Sequence, residues 1–149
     1  MQNLTEDQRA QVKFIEEVVR ERSANRTASA AETYVPAVFT CSLTNGPDGA
    51  SFEGSITYGL GIVVSFRATE FTVREGLPIA MVGGGPVLAR LPWRIMNKVG
   101  TFRATGWGPG GTLQMQVDGV NVFWTDAVLA GLGLLSWRVE GKVAFSGEI

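Results

Sequence analysis

The chain contains no histidine, so its acid-base chemistry would rest on carboxylates, tyrosines and lysines. That excludes Ser-His-Asp and Cys-His nucleophilic arrangements, histidine-ligated metals and the usual proton shuttle near neutral pH. Glu53, Glu70, Asp118, Asp126 and Glu140 are available for hydrolysis by paired carboxylates. Most of them occupy outward or turn positions, where a solvated charge is the ordinary role. Asp126 differs: it shares the parity of Val122 and Trp124, so its expected direction is inward, where burial raises a carboxyl pKa. The single cysteine, Cys41, follows Val35, Ala37 and Phe39 on the apolar side of an alternating run. It reads as a small core residue with no internal disulfide to form. Gly83-Gly84-Gly85 suggests a backbone nest for an anion, but neither a helix signature nor Lys-Ser/Thr follows, which argues against phosphate binding.

These residues need a scaffold, and composition bounds it. With 149 residues, 45% of them apolar and 18% charged, the chain is a globular domain able to bury a core. Thirteen basic residues against fourteen acidic ones give a formal charge of −1, which offers nothing to nucleic acid. The first residues, MQNLTEDQRAQ, lack the basic and apolar regions of a secretion signal, and no apolar run reaches about 18 residues. The expectation is a soluble cytoplasmic protein that does not span a membrane.

Thr5-Glu6-Asp7-Gln8 is a capping box, and the pattern after it predicts a helix to about Arg22. Leu4, Val12, Ile15, Val18 and Val19 form one stripe of that helix, opposite Glu16, Glu17, Arg20 and Glu21. Ser23–Thr33 reads as a linker, so residues 1–33 form a helix and tether ahead of a domain at 34–149. That helix is expected to pack on the domain, act as a lid or support a homodimer.

From Val35 onward the period is two, the mark of strands with one buried face. Val35 to Thr44 alternates, Asn45 to Gly49 turns, and two further arms set Phe52, Ile56, Tyr58, Ile62, Val64 and Phe66 on the apolar side. Leu77 to Met96, with three prolines and three consecutive glycines, predicts two short edge strands, Ile79 to Val82 and Val87 to Leu91. Trp93, Ile95 and Met96 are expected to be exposed there, near Arg90, Arg94 and Lys98. Phe102, Leu113, Met115 and Val117 belong to a later hairpin, and Asp118-Gly119 is a two-residue turn signal. Ala127–Leu135 is apolar on both faces, hence a strand covered on both sides or a short helical turn. Trp137, Val139, Val143 and Phe145 mark the last strand.

About eight strands with hairpin-length links predict an all-β protein, an antiparallel up-and-down barrel of the lipocalin or avidin kind with an N-terminal amphipathic helix. Its apolar faces then meet inside, either as packing or as the wall of a pocket.

Ala37-Val38-Phe39, the Gly46-Pro47-Asp48-Gly49 turn, Phe52-Glu53-Gly54 and the glycine-rich return resemble the small barrels of the virulence-associated Vap family, over residues 34–66. In size and architecture the chain is also similar to the β-barrel pericyclases of polyketide pathways. That resemblance implies an apolar substrate folded inside the barrel and a cofactor-free [4+2]-type cyclisation, which needs orientation and exclusion of water more than acid or base. Two functions follow. A barrel enclosing an apolar small molecule would contact it through Phe39, Cys41, Phe52, Tyr58, Phe66, Met115, Trp124, Asp126 and Trp137. Alternatively, a binding protein would use its outer surface or its N-terminal helix.

Overall fold

The computed structural model describes residues 9, 32–47, 49–73, 78–133 and 136–148. The expected N-terminal helix and nearly all of its linker lie outside the described residues. What is described is all-β: β1 Tyr34–Gly46, β2 Gly49–Thr57, β3 Val63–Val73, β4 Ile79–Arg90, β5 Val99–Trp107, β6 Gly110–Val117, β7 Val120–Asn121, β8 Ala127–Leu132 and β9 Trp137–Glu148.

Around the sheet the order is β5-β9-β3-β2-β1-β4-β8-β6, and β6 pairs back to β5, which closes an antiparallel barrel of eight strands. The two-residue β7 is an extra strand on the edge of β6. The expected strand count and closure therefore hold, but the up-and-down order does not. β4 follows β3 in the chain yet pairs with β1 over Tyr34↔Arg90 to Asn45↔Ile79, and β9 fills the place between β3 and β5. Length explains the pairing: β1 and β4 offer each other long matching edges, as do β3 and β9, and a closed barrel leaves no edge unpaired.

The expected break in the glycine-proline segment is absent. β4 runs unbroken through Gly83, Gly84, Gly85 and Pro86, while β8 takes up only Ala80, Met81 and Val82 on its other side. Pro86, which has no N–H to give, thus lies on a stretch of β4 with a free flank. Lower down, residues 121–124 bridge the gap: Arg90 N–H donates to Val122 O, Trp124 N–H to Leu88 O, and Val122 N–H to Met115 O.

Inside, the alternation delivers the core that the sequence predicts. Phe39, Leu43, Phe52, Ile56, Val64, Phe66, Phe102, Leu113, Met115, Val139 and Val143 are all buried. A bulge between Ala68 and Glu70 rotates β3 so that Phe71, which strict alternation places outside with Arg67, packs edge-on against Phe102. Two expectations near β5 are corrected: Ile95 is fully buried and Met96 is half-buried against the core, whereas Trp93 is exposed. The short turn Pro92–Arg94 folds the chain back so that Ile95 enters the end of the barrel.

Candidate functional site

The inside of the barrel is the first place to seek a site. Seven expected ligand contacts, Phe39, Cys41, Phe52, Tyr58, Phe66, Met115 and Trp137, do face inward and are buried. They meet one another and their neighbours. Phe52 stacks on Phe102 across the barrel with ring centroids 4.4 Å apart, and also lies 5.4 Å from Phe66, while Phe39 lies 5.2 Å from Phe123. Gly54 is the space that the Phe66 ring occupies, since a side chain there would collide with the ring and with the Thr40 carbonyl. The Trp137 indole rests in a cradle of Gly106, Gly111 and Gly133 and donates from Nε1 to Gly108 O at 3.2 Å.

The polar groups among these residues are occupied. Cys41 Sγ meets the Gly83 N–H, but burial outweighs that contact and pushes the thiol up to about 11, so it keeps its proton at neutral pH. Tyr58 donates its hydroxyl to Arg90 O at 2.5 Å, and burial raises its pKa well above the ordinary value against the opposing charge of Arg90.

Trp124 and Asp126 stand elsewhere. The strand expected at Val120–Ala127 ends at Asn121, and Asn121, Val122 and Phe123 are buried in succession, so parity is lost before Trp124. Trp124 is partly exposed with its ring 5.2 Å from that of Tyr34, and Asp126 is half-buried.

Among the described residues one charged side chain is deeply buried. Arg90, 3% exposed, donates from Nη1 to Val117 O at 2.9 Å and pairs through Nη2 with Glu32 Oε1 at 3.4 Å. Expected beside an exposed loop, it instead ties the chain just before β1 to the end of β4. Tyr34 adds a second tie by donating to Asn121 O at 2.7 Å.

The outer wall falls into two halves. β5, β9, β3 and β2 are consecutive around the barrel and carry Arg103, Arg138, Glu140, Lys142, Arg67, Glu70 and Glu53. Their ion pairs run Arg67–Glu53 at 3.0 Å, Arg103–Glu140 at 3.1 Å and Lys142–Glu70 at 3.7 Å. Between them Thr40, Ser55, Ser65 and Ser146 form one cross-strand row of hydroxyls, along an open groove of about 760 Å³. The other four strands, β1, β4, β8 and β6, are also consecutive, and Arg90 is their one charged residue.

On that uncharged half, outward apolar side chains lie in neighbouring rows. Val38 pairs opposite Pro86, Pro36 opposite Leu88, Val82 opposite Ala130 and Ala80 opposite Leu132. Val82 is 62% exposed, Leu132 61% and Val128 72%. Sequence reasoning missed this face. Its one local signal was Ala127–Leu135, apolar on both sides; β8 is indeed a strand, and among the described residues nothing covers its outer side.

Among the described residues no group of three or more cysteines and carboxylates is placed to hold a metal ion. No helix among them is long and apolar enough to cross a membrane, a fact that does not bear on strands. Comparison with protein-family models, curated proteins and solved structures finds no match to this chain.

Proposed function

We propose that the protein is a non-catalytic binding module that works through the outside of its barrel, at the apolar face of β1, β4 and β8, on a protein partner with an apolar surface. The observation that supports this is the segregation of charge into one half of the wall, which leaves Val82, Val128 and Leu132 exposed on neighbouring strands β4 and β8 of the other, with Val38 and Leu88 exposed farther along β1 and β4 beyond Thr40 and Gly84. Apolar surface left in water forgoes about 25 cal/mol per Å², and contiguous patches of it on soluble domains mark places where something else docks. The interior offers less. An eight-stranded barrel has room for side chains or for one small ligand, and here Phe52 already meets Phe66 and Phe102 in it while Phe39 packs on Phe123.

Titration of the full chain with anilinonaphthalene sulfonate separates the two sites. The double substitution Val82→Asp with Val128→Asp should remove most of the bound-probe fluorescence while the circular dichroism stays native. Unchanged fluorescence in that variant, together with its loss in Phe39→Ala, would place binding inside and end the proposal.

A further inference from the structure

Arg90 is a buried charge, and one edge of its guanidinium lacks the acceptors that such a group requires. Nη1 donates to Val117 O at 2.9 Å, so that side is in use. Nε and Nη2 share the opposite edge, the one with which an arginine grips a carboxylate through two parallel hydrogen bonds. On it Nε is buried and meets no acceptor among the described residues, while Nη2 has the single long contact to Glu32 Oε1 at 3.4 Å. A well-made charge-assisted hydrogen bond is about 2.7–2.9 Å long. We propose that this edge of Arg90 binds a small carboxylic acid in its ionised form, which takes the place of Glu32.

Three features of the site support it. The first is that the fork is fixed in advance. Arg90 N–H donates to Val122 O, the Tyr58 hydroxyl donates to Arg90 O, and Val117 O holds Nη1, so binding costs little side-chain freedom. The second is demand: a buried charged donor without its acceptors is costly, and one carboxylate spanning Nε and Nη2 supplies both at once. Glu32, with one oxygen at 3.4 Å, does not, which makes it a weak competitor for a free acid. The third is access. The Glu32 side chain is 24% exposed whereas that of Arg90 is almost wholly buried, so one carboxylate replaces another at the solvent end of the pair. An edge this buried favours a carboxylate on a slender stem over a bulkier anion. The site lies at the end of β4 and is independent of the apolar outer face.

Benzoate, with benzamide as its neutral counterpart, tests the site in the full chain through the nitrogen–proton NMR signals of the arginine Nε–H groups, assigned by through-bond correlation. Benzoate should shift the Arg90 signal saturably while those of Arg67 and Arg103, paired with Glu53 and Glu140, stay in place. Benzamide should move none of them. No saturable shift at Arg90, an equal shift with benzamide, or shifts confined to the other arginines overturns the inference. N-acetyltriglycine, which offers the carboxylate of a polypeptide end, should bind more weakly than benzoate; tighter binding would assign the site to a chain terminus and overturn the small acid.

Two variants test the exchange itself. Glu32→Gln removes the competing charge and should tighten benzoate binding several-fold, with a larger benzoate-dependent rise in melting temperature than the parent shows. Unchanged or weaker binding would mean that Glu32 is not displaced and would overturn the inference. Arg90→Lys keeps the charge but loses the two-donor edge, so the benzoate-dependent rise should vanish; its persistence would put the anion elsewhere. Should Arg90→Lys fail to fold, the titration of the parent at Arg90 Nε–H decides. Val82→Asp with Val128→Asp should leave benzoate binding unchanged, which keeps this site and the outer face separately testable.

Discussion

The two halves of the barrel wall share one interior and differ in what they show to water. Phe52 and Phe66 enter the core from β2 and β3, Phe39 and Met115 from β1 and β6, and all are equally buried. Outside, β2, β3, β9 and β5 are laced by Arg67–Glu53, Lys142–Glu70 and Arg103–Glu140, whereas β1, β4 and β8 present valines and leucines interspersed with the uncharged Thr40, Ser42 and Thr44. Folding requires only the inner faces to be apolar, so the outer apolar face of β1, β4 and β8 answers to something other than the core. The charged half shows the finish that a wall facing only water adopts.

The comparison first requires that the halves share one core. Phe102→Ala, which removes the ring stacked on Phe52, should cost about 3–5 kcal/mol, read from chemical denaturation. An unchanged midpoint would mean that the core is not continuous across the barrel. Cys41, reaching inward from the uncharged half, gives a pH test of the same point. Its neutral thiol is favoured by burial, with a folded pKa of about 11 against the ordinary 9.0. Its contribution is therefore complete below about pH 9 and is lost as pH rises through 11, at most about 3 kcal/mol. Tyr58 shifts in the same direction, so the denaturation midpoint of Cys41→Ala should fall less steeply over this range than that of the parent, but not become flat. Equal slopes would show that the thiol is not buried.

The outer surface comes next. Glu32→Gln leaves Arg90 buried without its counter-charge and should cost about 1–3 kcal/mol by thermal unfolding. No loss would free the N-terminal segment from the end of β4. Val82→Asp with Val128→Asp should weaken anilinonaphthalene sulfonate binding several-fold, whereas Ser65→Asp on the charged half should leave it unchanged. Equal effects would erase the distinction between the walls. Smallest is Arg67→Ala, which breaks an exposed pair worth about 0–1 kcal/mol; a larger loss would give the charged wall a structural role beyond solvation.

What could be read from the sequence follows from what is local. Alternation in Val35–Phe66 and in Trp137–Phe145 placed the inner faces, and Asp118-Gly119 placed a tight turn, where φ is positive at both residues. Alternation failed where the backbone changes parity, at the bulge that turns Phe71 inward and after Asn121, where Val122 and Phe123 are both buried. Strand order could not be read, because hairpin-length links do not say that β4 returns to β1 or that β9 enters beside β3. The apolar outer face was hidden for the same reason. Val38, Val82 and Val128 are far apart in the chain, and only the order β1-β4-β8 makes them neighbours. Arg90 in the sequence is a charge beside a proline-rich loop; its burial depends on Glu32 and Val117, which the fold brings to it.

The most direct test is methyl NMR of the full-length protein titrated with anilinonaphthalene sulfonate, with valine and leucine methyls assigned. The account predicts that shifts concentrate on Val82, Leu88, Val128 and Leu132 while Val64, Leu113, Val139 and Val143 stay in place. Shifts confined to those inner methyls would contradict it and return the binding site to the inside of the barrel.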